Sequence, residues 1–165
     1  MLTTINTDAS YHSDYKIGAF AFWSISDQFK ITKAGYFKQE CKNPHEAEMK
    51  CIINAIAVTL SANKNIRRIV FNTDSMNSIH VFTNDRANIR RYGLQWAAPL
   101  RRQFNKYLKN YDRGRNRLKI EFRHVKAHTG NDDKRSYVNE WCDTQAKYYL
   151  WKRINQLKAI VKRKK

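Results

Sequence analysis

The chain predicts one α/β domain, a mixed five-stranded sheet with three antiparallel meander strands followed by two parallel ones, flanked by helices. Three observations carry this. The first forty residues hold three short runs rich in aromatic and β-branched residues. Beyond them the hydrophobic period changes, and two further strand-like runs are separated by helical stretches, as parallel strands require. A length of 165 residues with 42% hydrophobic content fits one buried core.

The meander strands are LTTINTDAS (2–10), KIGAFAFWSI (16–25) and QFKITKAGYF (28–37), and the first link, YHSDYK, has no glycine cluster. In NPHEAEMKCIINAIAVTL (43–60) Glu48, Ile52, Ala55 and Ile56 share one helical face, and Pro44 suits the first turn. IRRIVFNTDS (66–75) is a buried fourth strand that ends on Asp74. A short helix, SMNSIHVF, follows, then a basic linker, DRANIRRYG, and a longer helix, LQWAAPLRRQFNKYLKNY, started or bent at Pro99. RLKIEFRHV (117–125) alternates Leu118, Ile120 and Phe122 against Lys119, Glu121 and Arg123, a strand with one wetter face. A polar loop, KAHTGNDDKRS, leads to a last helix from about Tyr137. Residues 1–150 form the domain, and 151–165 read as its basic helical C-terminal extension.

A net charge of +18 points to a polyanionic partner. Two segments hold nearly all of the excess: residues 86–126 carry thirteen Lys/Arg against two acids, and 147–165 carry eight against none. No apolar run approaches the roughly 20 residues that span a bilayer, and MLTTINTDAS is too polar for a signal peptide. Nucleic acid is therefore expected and a membrane is not. Cys41, Cys51 and Cys142 are odd in number and lack CxxC spacing, which reads as buried thiols of an intracellular protein, cytoplasmic or nuclear. A monomer is the expected state.

Four acids occupy unusual positions. Asp8 lies on the first strand and Asp74 ends the fourth, so adjacency of those strands would bring the two together near strand ends, where open α/β sheets place their sites. Glu48 sits on a helical face that should be apolar, and Asp143 shares a face with Asn139, Ala146 and Leu150. Carboxylates buried side by side raise one another's pKa, and burial adds to the effect, so a divalent cation is the usual compensation. Oxygen-only ligands favour Mg²⁺ or Mn²⁺ over zinc. Each acid also has a simpler role open to it: Asp74 as a helix N-cap, Glu48 in an ion pair with a lysine, Asp143 paired with Lys147 one turn on. The histidines of HVKAH (124–128) are not read as a zinc pair, because His124 falls on a strand and His128 in the loop after it.

Taken in order, TDAS (7–10), EAEMKCIINAI (46–56), NTDS (72–75) and VKAHTGNDD…VNEWCDTQA (125–146) resemble the motifs of the type 1 ribonucleases H over about residues 2–150. The resemblance implies the RNase H-like fold and hydrolysis of the RNA strand of RNA–DNA hybrids by a two-metal-ion mechanism, giving 3′-hydroxyl and 5′-phosphate ends. Carried over by position, Asp8 would bridge two Mg²⁺ ions, with Mn²⁺ as a substitute. Glu48 and Asp74 would complete the ion on the leaving-group side, and Asp143 would share the ion holding the attacking water. His128 would serve proton transfer or product departure from its loop, with Asn139 and Ser10 in support. Alternatives of the same fold are a DNA-directed nuclease, transposase-like or junction-cleaving, and a non-catalytic nucleic-acid-binding module.

The chain departs from the family pattern at three places. The turn after the first strand has Gly18 alone. Where many members carry adjacent asparagines that contact the sugar backbone, Pro44 and His45 follow Asn43, so Asn43 and His45 are the candidate contacts there. In place of the basic protrusion of some members stand the linker and basic helix, with Arg86, Arg90, Arg91, Arg101, Arg102 and Lys106 expected on phosphates. Trp96, Phe104, Tyr107 and Tyr111 are expected to pack on the core.

Overall fold

The structure, a computed structural model, describes residues 1–113, 115, 117–125 and 134–164, with residues 134–136 described by backbone alone. Its strands are β1 (Leu2–His12), β2 (Ile17–Ile25), β3 (Lys30–Tyr36), β4 (Arg68–Thr73) and β5 (Lys119–His124). Its α-helices are α1 (Pro44–Ala62), α2 (Met76–Phe82), α3 (Arg86–Arg91), α4 (Ala98–Asp112) and α5 (Lys134–Lys164), with a 3₁₀ turn at Gln95–Ala97. The sheet order is β3-β2-β1-β4-β5. β1, β2 and β3 pair antiparallel, whereas β4 lies parallel to both β1 and β5. The mixed five-stranded sheet expected from the sequence is the observed one.

Strand β2 shows why helices cover both faces. Its alternation sends Phe20 and Phe22 into a core with Ile5, Ile52, Ile56, Phe71 and Phe104, beneath α1 and α4. The intervening Ala19 and Ala21 face α5, where small side chains let Leu150, Ile154, Cys142 and Ala146 approach the sheet. Asn43 caps α1 by accepting the Glu46 amide at 2.8 Å, and Pro44 occupies the first turn. At the other end of α1 the Tyr111 hydroxyl accepts the Ile66 amide and donates to the Asn63 carbonyl, both at 2.8 Å. One phenol thus satisfies the backbone where the chain leaves the helix and enters β4.

Three local expectations are revised. DRANIRRYG is a short helix rather than a linker: Asp85 caps α3 through the Asn88 amide, and Gly93, at φ 64°, follows its end. Helix α5 is already formed at Lys134, ahead of the expected start near Tyr137. The β1–β2 turn, which the sequence shows without a glycine cluster, is made with Lys16 at φ 55°. Of the four aromatics, Phe104 is buried and Tyr111 packs on the core, but Trp96 (39% exposed) and Tyr107 (37%) face outward. Cys41, Cys51 and Cys142 are free and buried, as the sequence suggested.

Gly18 sits where β2 meets the segment entering α1. A Cβ added there would lie 2.8 Å from Cys41 Sγ, 3.0 Å from Phe37 Cδ2 and 3.1 Å from Ala47 Cβ. Gly18→Val is therefore expected to destabilise the fold by about 1–3 kcal/mol in urea unfolding. Gly35→Ala, whose new methyl would meet only the Phe20 ring at 3.4 Å, should stay near wild type.

Candidate active site

The site is built by strand register. Parallel pairing sets Asn6 of β1 opposite Asn72 of β4. Two residues further along each chain stand Asp8 and Asp74, so both carboxylates leave the same end of the sheet side by side. Helix α1 runs over this end and adds Glu48, one turn before the fully buried Ile52. One oxygen from each of Asp8, Glu48 and Asp74 lies within 4.8 Å of the other two.

Backbone and neighbouring side chains hold the three in place. The Ala9 amide donates to Asp8 Oδ1 at 3.0 Å and to Glu48 Oε1 at 3.2 Å, joining strand and helix acids through one N–H. Behind Glu48, the Cys51 thiol donates to the Asp8 and Ala21 carbonyls, each at 3.4 Å, and ties α1 to β1 and β2. The backbone carbonyl of Asp74 contacts His124 Nε2 at 3.2 Å, and the Val125 amide donates to the Thr73 carbonyl at 2.9 Å. His124 thus has the structural place at the end of β5 that the sequence suggested.

The competing roles divide. Helix α2 is capped by Ser75, whose Oγ accepts the Ser78 amide, so capping does not fall to Asp74. The acid that pairs with a lysine on α1 is Glu46, 2.9 Å from Lys50, and not Glu48. Asp143 does pair with Lys147, at 3.0 Å. It stands next to the three-carboxylate group rather than within it: its charge and its hydrogen bond both act on Asp8.

The electrostatics follow from this crowding. Burial, then the carboxylates of Asp74 and Asp143, push the Asp8 carboxyl up to about 8 against the opposing pull of the Ala9 amide. Burial, then Asp8 and Asp74, push Glu48 well above the usual carboxylate range. Among the described residues, the buried Glu48 Oε2 has no hydrogen-bond partner. A buried, unpartnered carboxylate oxygen facing two other acids matches what a hard divalent cation needs, an all-oxygen donor set with spare lone pairs.

A further polar element went unnoticed in the sequence. Asn72 Nδ2 donates to Asn6 Oδ1 at 3.3 Å, and Asn6 Nδ2 donates to Asn139 Oδ1 at 2.6 Å. Three amides therefore lock β4, β1 and α5 together beneath the acids. The available signal was an asparagine two positions before each strand aspartate, polar residues in otherwise apolar runs.

The remaining predicted residues scatter around this centre. Ser10 is half-buried on β1. Asn43 is occupied as the α1 cap, and exposed His45 beside it lies 3.2 Å from Asn77 of α2. Arg86, Arg90 and Arg91 are exposed on α3, as are Arg102 and Lys106 on α4, with Arg101 half-buried. His128 lies outside the described residues.

Carboxylates gathered at the ends of adjacent parallel strands fit a nuclease centre of the divalent-metal-dependent class. The RNase H family model matches residues 2–150, and the chain belongs to that family, making it a ribonuclease H-type endonuclease whose partner is nucleic acid. No curated protein matches the chain. Solved structures match the fold: RNase H1 from the halophilic archaeon Halobacterium salinarum NRC-1 is 17% identical, with a TM-score of 0.59 over 91% of this chain and 98% of that one. The N-terminal RNase H domain of a Mycobacterium tuberculosis protein, solved as a fusion with maltose-binding protein, is 9% identical, with a TM-score of 0.60 over 92% and 97%. LC9-RNase H1, described as a type 1 RNase H with the type 2 active-site motif, is 16% identical, with a TM-score of 0.58 over 90% and 73%.

The raised carboxyl of Asp8 fixes a pH dependence. Its pKa is about 8 in the folded protein and about 3.9 when unfolded. Between those values the native state keeps a proton that the unfolded state has released, so the stability of the metal-free protein falls as pH rises. Thermal melts in EDTA should show Tm dropping from about pH 4 toward pH 8, with the drop flattened in Asp8→Asn. A flat wild-type profile would contradict the crowding.

Proposed function

We propose that the protein hydrolyses the RNA strand of RNA–DNA hybrids, using Mg²⁺ or, as a substitute, Mn²⁺, and leaves 3′-hydroxyl and 5′-phosphate ends. The observation that carries this reading is the partly buried trio Asp8, Glu48 and Asp74, in which one buried Glu48 oxygen has no hydrogen-bond partner among the described residues. Asp8, Glu48 and Asp74, with Asp143 beside them, would hold two cations. Bound there, divalent ions supply water activation and neutralise charge on the scissile phosphate.

The chain's own residues do the rest. The Ala9 amide keeps Asp8 and Glu48 at a fixed spacing, and the Asn72–Asn6–Asn139 relay keeps α5, with Asp143, against the strands. Lys147 supplies a positive charge to Asp143 at the rim. The exposed arginines of α3 and the Arg102 and Lys106 side chains of α4 would contact phosphates, adding affinity without sequence preference. Asn43 already spends its side-chain oxygen on the helix cap, so contact with the RNA 2′-hydroxyl would fall to the adjacent His45 and Asn77. His128 would move protons, as an imidazole suits near neutral pH.

Labelled RNA–DNA hybrid, duplex DNA, duplex RNA and branched DNA should be offered side by side with Mg²⁺. Cleavage of the RNA strand of the hybrid is expected, and cutting confined to DNA would reject the reading. Asp74→Asn should lower kcat by at least about a thousandfold, about 4 kcal/mol of barrier, while hybrid binding and the far-ultraviolet dichroism stay near wild type. Near-normal turnover in that variant would show the site to be misassigned. Millimolar Mg²⁺ should raise the Tm of the wild type, through preferential binding to the folded state, and raise it less in Asp74→Asn.

A further inference from the structure

Helix α5 continues past the carboxylate site for a further five turns. The family match ends at residue 150, while the helix runs unbroken to Lys164. Its inner side is fastened to the sheet by Leu150 and Ile154, both buried, with Leu157 packed beside them. The opposite side carries Tyr148, Trp151, Lys152, Lys158 and Lys162, all exposed and aligned by the helical period into one stripe.

Two features of this stripe set it apart from an ordinary solvated face. It is electrostatically one-sided, because no acid follows Asp143 in the sequence. It also leaves two large aromatics in water, Tyr148 at 55% and Trp151 at 49% exposure. Trp151 is steadied by the His12 ring, packed edge-on at 5.7 Å, and the Lys158 ammonium lies 6.0 Å from its centroid. Lys152 stands 5.8 Å from the Tyr148 ring. Cations alone would suit any polyanion. Cations placed beside and beyond exposed aromatic rings suit unpaired bases, whose faces are free to stack, whereas those of a duplex are already stacked.

Position completes the argument. Trp151 is two helical turns beyond Asp143, about 12 Å along the axis, and the stripe then extends for about 21 Å from Tyr148 to Lys162. Asp143 lies toward the inner side of α5 with Ala146 and Leu150, so a strand leaving the carboxylates reaches the stripe by passing round the helix, a path of a few nucleotides.

We propose that this face of α5 binds single-stranded nucleic acid flanking the cleaved duplex. The surface does not depend on turnover, so its test is separable from the nuclease assignment. Binding of the full chain would be followed by fluorescence anisotropy in EDTA. The probes are a free 15-nucleotide single strand, a blunt hybrid, and the same hybrid carrying a 10-nucleotide DNA overhang, RNA overhang or duplex DNA extension. The overhang is expected to tighten binding about tenfold, and a gain with either sugar supports the proposal while identifying the strand. The paired substitution Tyr148→Ala/Trp151→Ala should erase that gain while leaving blunt-hybrid affinity and cleavage unchanged. Lys152→Gln/Lys158→Gln/Lys162→Gln, confined to exposed positions, should shrink the gain and lessen its salt dependence. The proposal is overturned if the overhang adds nothing, if its gain survives in both variants, or if the duplex extension gains as much.

Discussion

The structure is organised around mutual repulsion. Asp8, Glu48 and Asp74 come close enough to oppose one another's ionisation, and partial burial removes the water that would soften it. Such a cluster persists only if the surrounding chain resists the outward push. That resistance comes from elements stabilised elsewhere: a parallel strand pair in fixed register, a helix whose face below Glu48 is fully buried, and hydrogen bonds from the Cys51 thiol behind the acids. The main core is thus more than a source of stability. It stores electrostatic strain that a bound cation releases, which couples metal affinity to the rigidity of the frame.

The sequence disclosed this frame unevenly, for physical reasons. Glu48 was legible because it interrupts an apolar stripe of period 3.6, and Asp74 because it ends a β-branched run; both are conflicts between a residue and its local pattern. The Asn72–Asn6–Asn139 relay was not legible, since it depends on a cross-strand register that no local pattern encodes. Helix α3 was misread because six residues are too few to show a period, although its Asp85 cap and Gly93 were present. Trp96 and Tyr107 were assigned inward with the other aromatics, yet Trp96 lies on the 3₁₀ turn before α4, and α4 offers the core only a narrow side, filled by Phe104 with Leu100, Leu108 and Tyr111 packed around it. Asn43 was read as a ligand contact, whereas a side chain one position before a helical proline is as well suited to capping.

Charge is separated by range. Most of the excess of +18 lies in residues 86–126 and 147–165, where salt screens exposed charges beyond about 8–10 Å. It can gather and align a polyanion but cannot choose among polyanions. The negative cluster is small, partly buried and little screened, so it governs chemistry over a few ångströms only. Between the two ranges sits the α1–α2 junction, where His45 and Asn77 meet.

Helix α5 joins these ranges in a single rigid element. Its first half presents Asn139 to the amide relay and Asp143 to the carboxylates, and its second half carries uncompensated positive charge away from the site. Since a helix rises about 1.5 Å per residue and bends little over this length, the distance from Asp143 to each later lysine is set by sequence spacing alone. A flexible tail of the same composition would raise the local concentration of nucleic acid without fixing its path. A continuous helix pinned to the sheet at Leu150 and Ile154 fixes the path as well, so the direction in which a bound strand leaves the carboxylates is determined by the same packing that holds those carboxylates together.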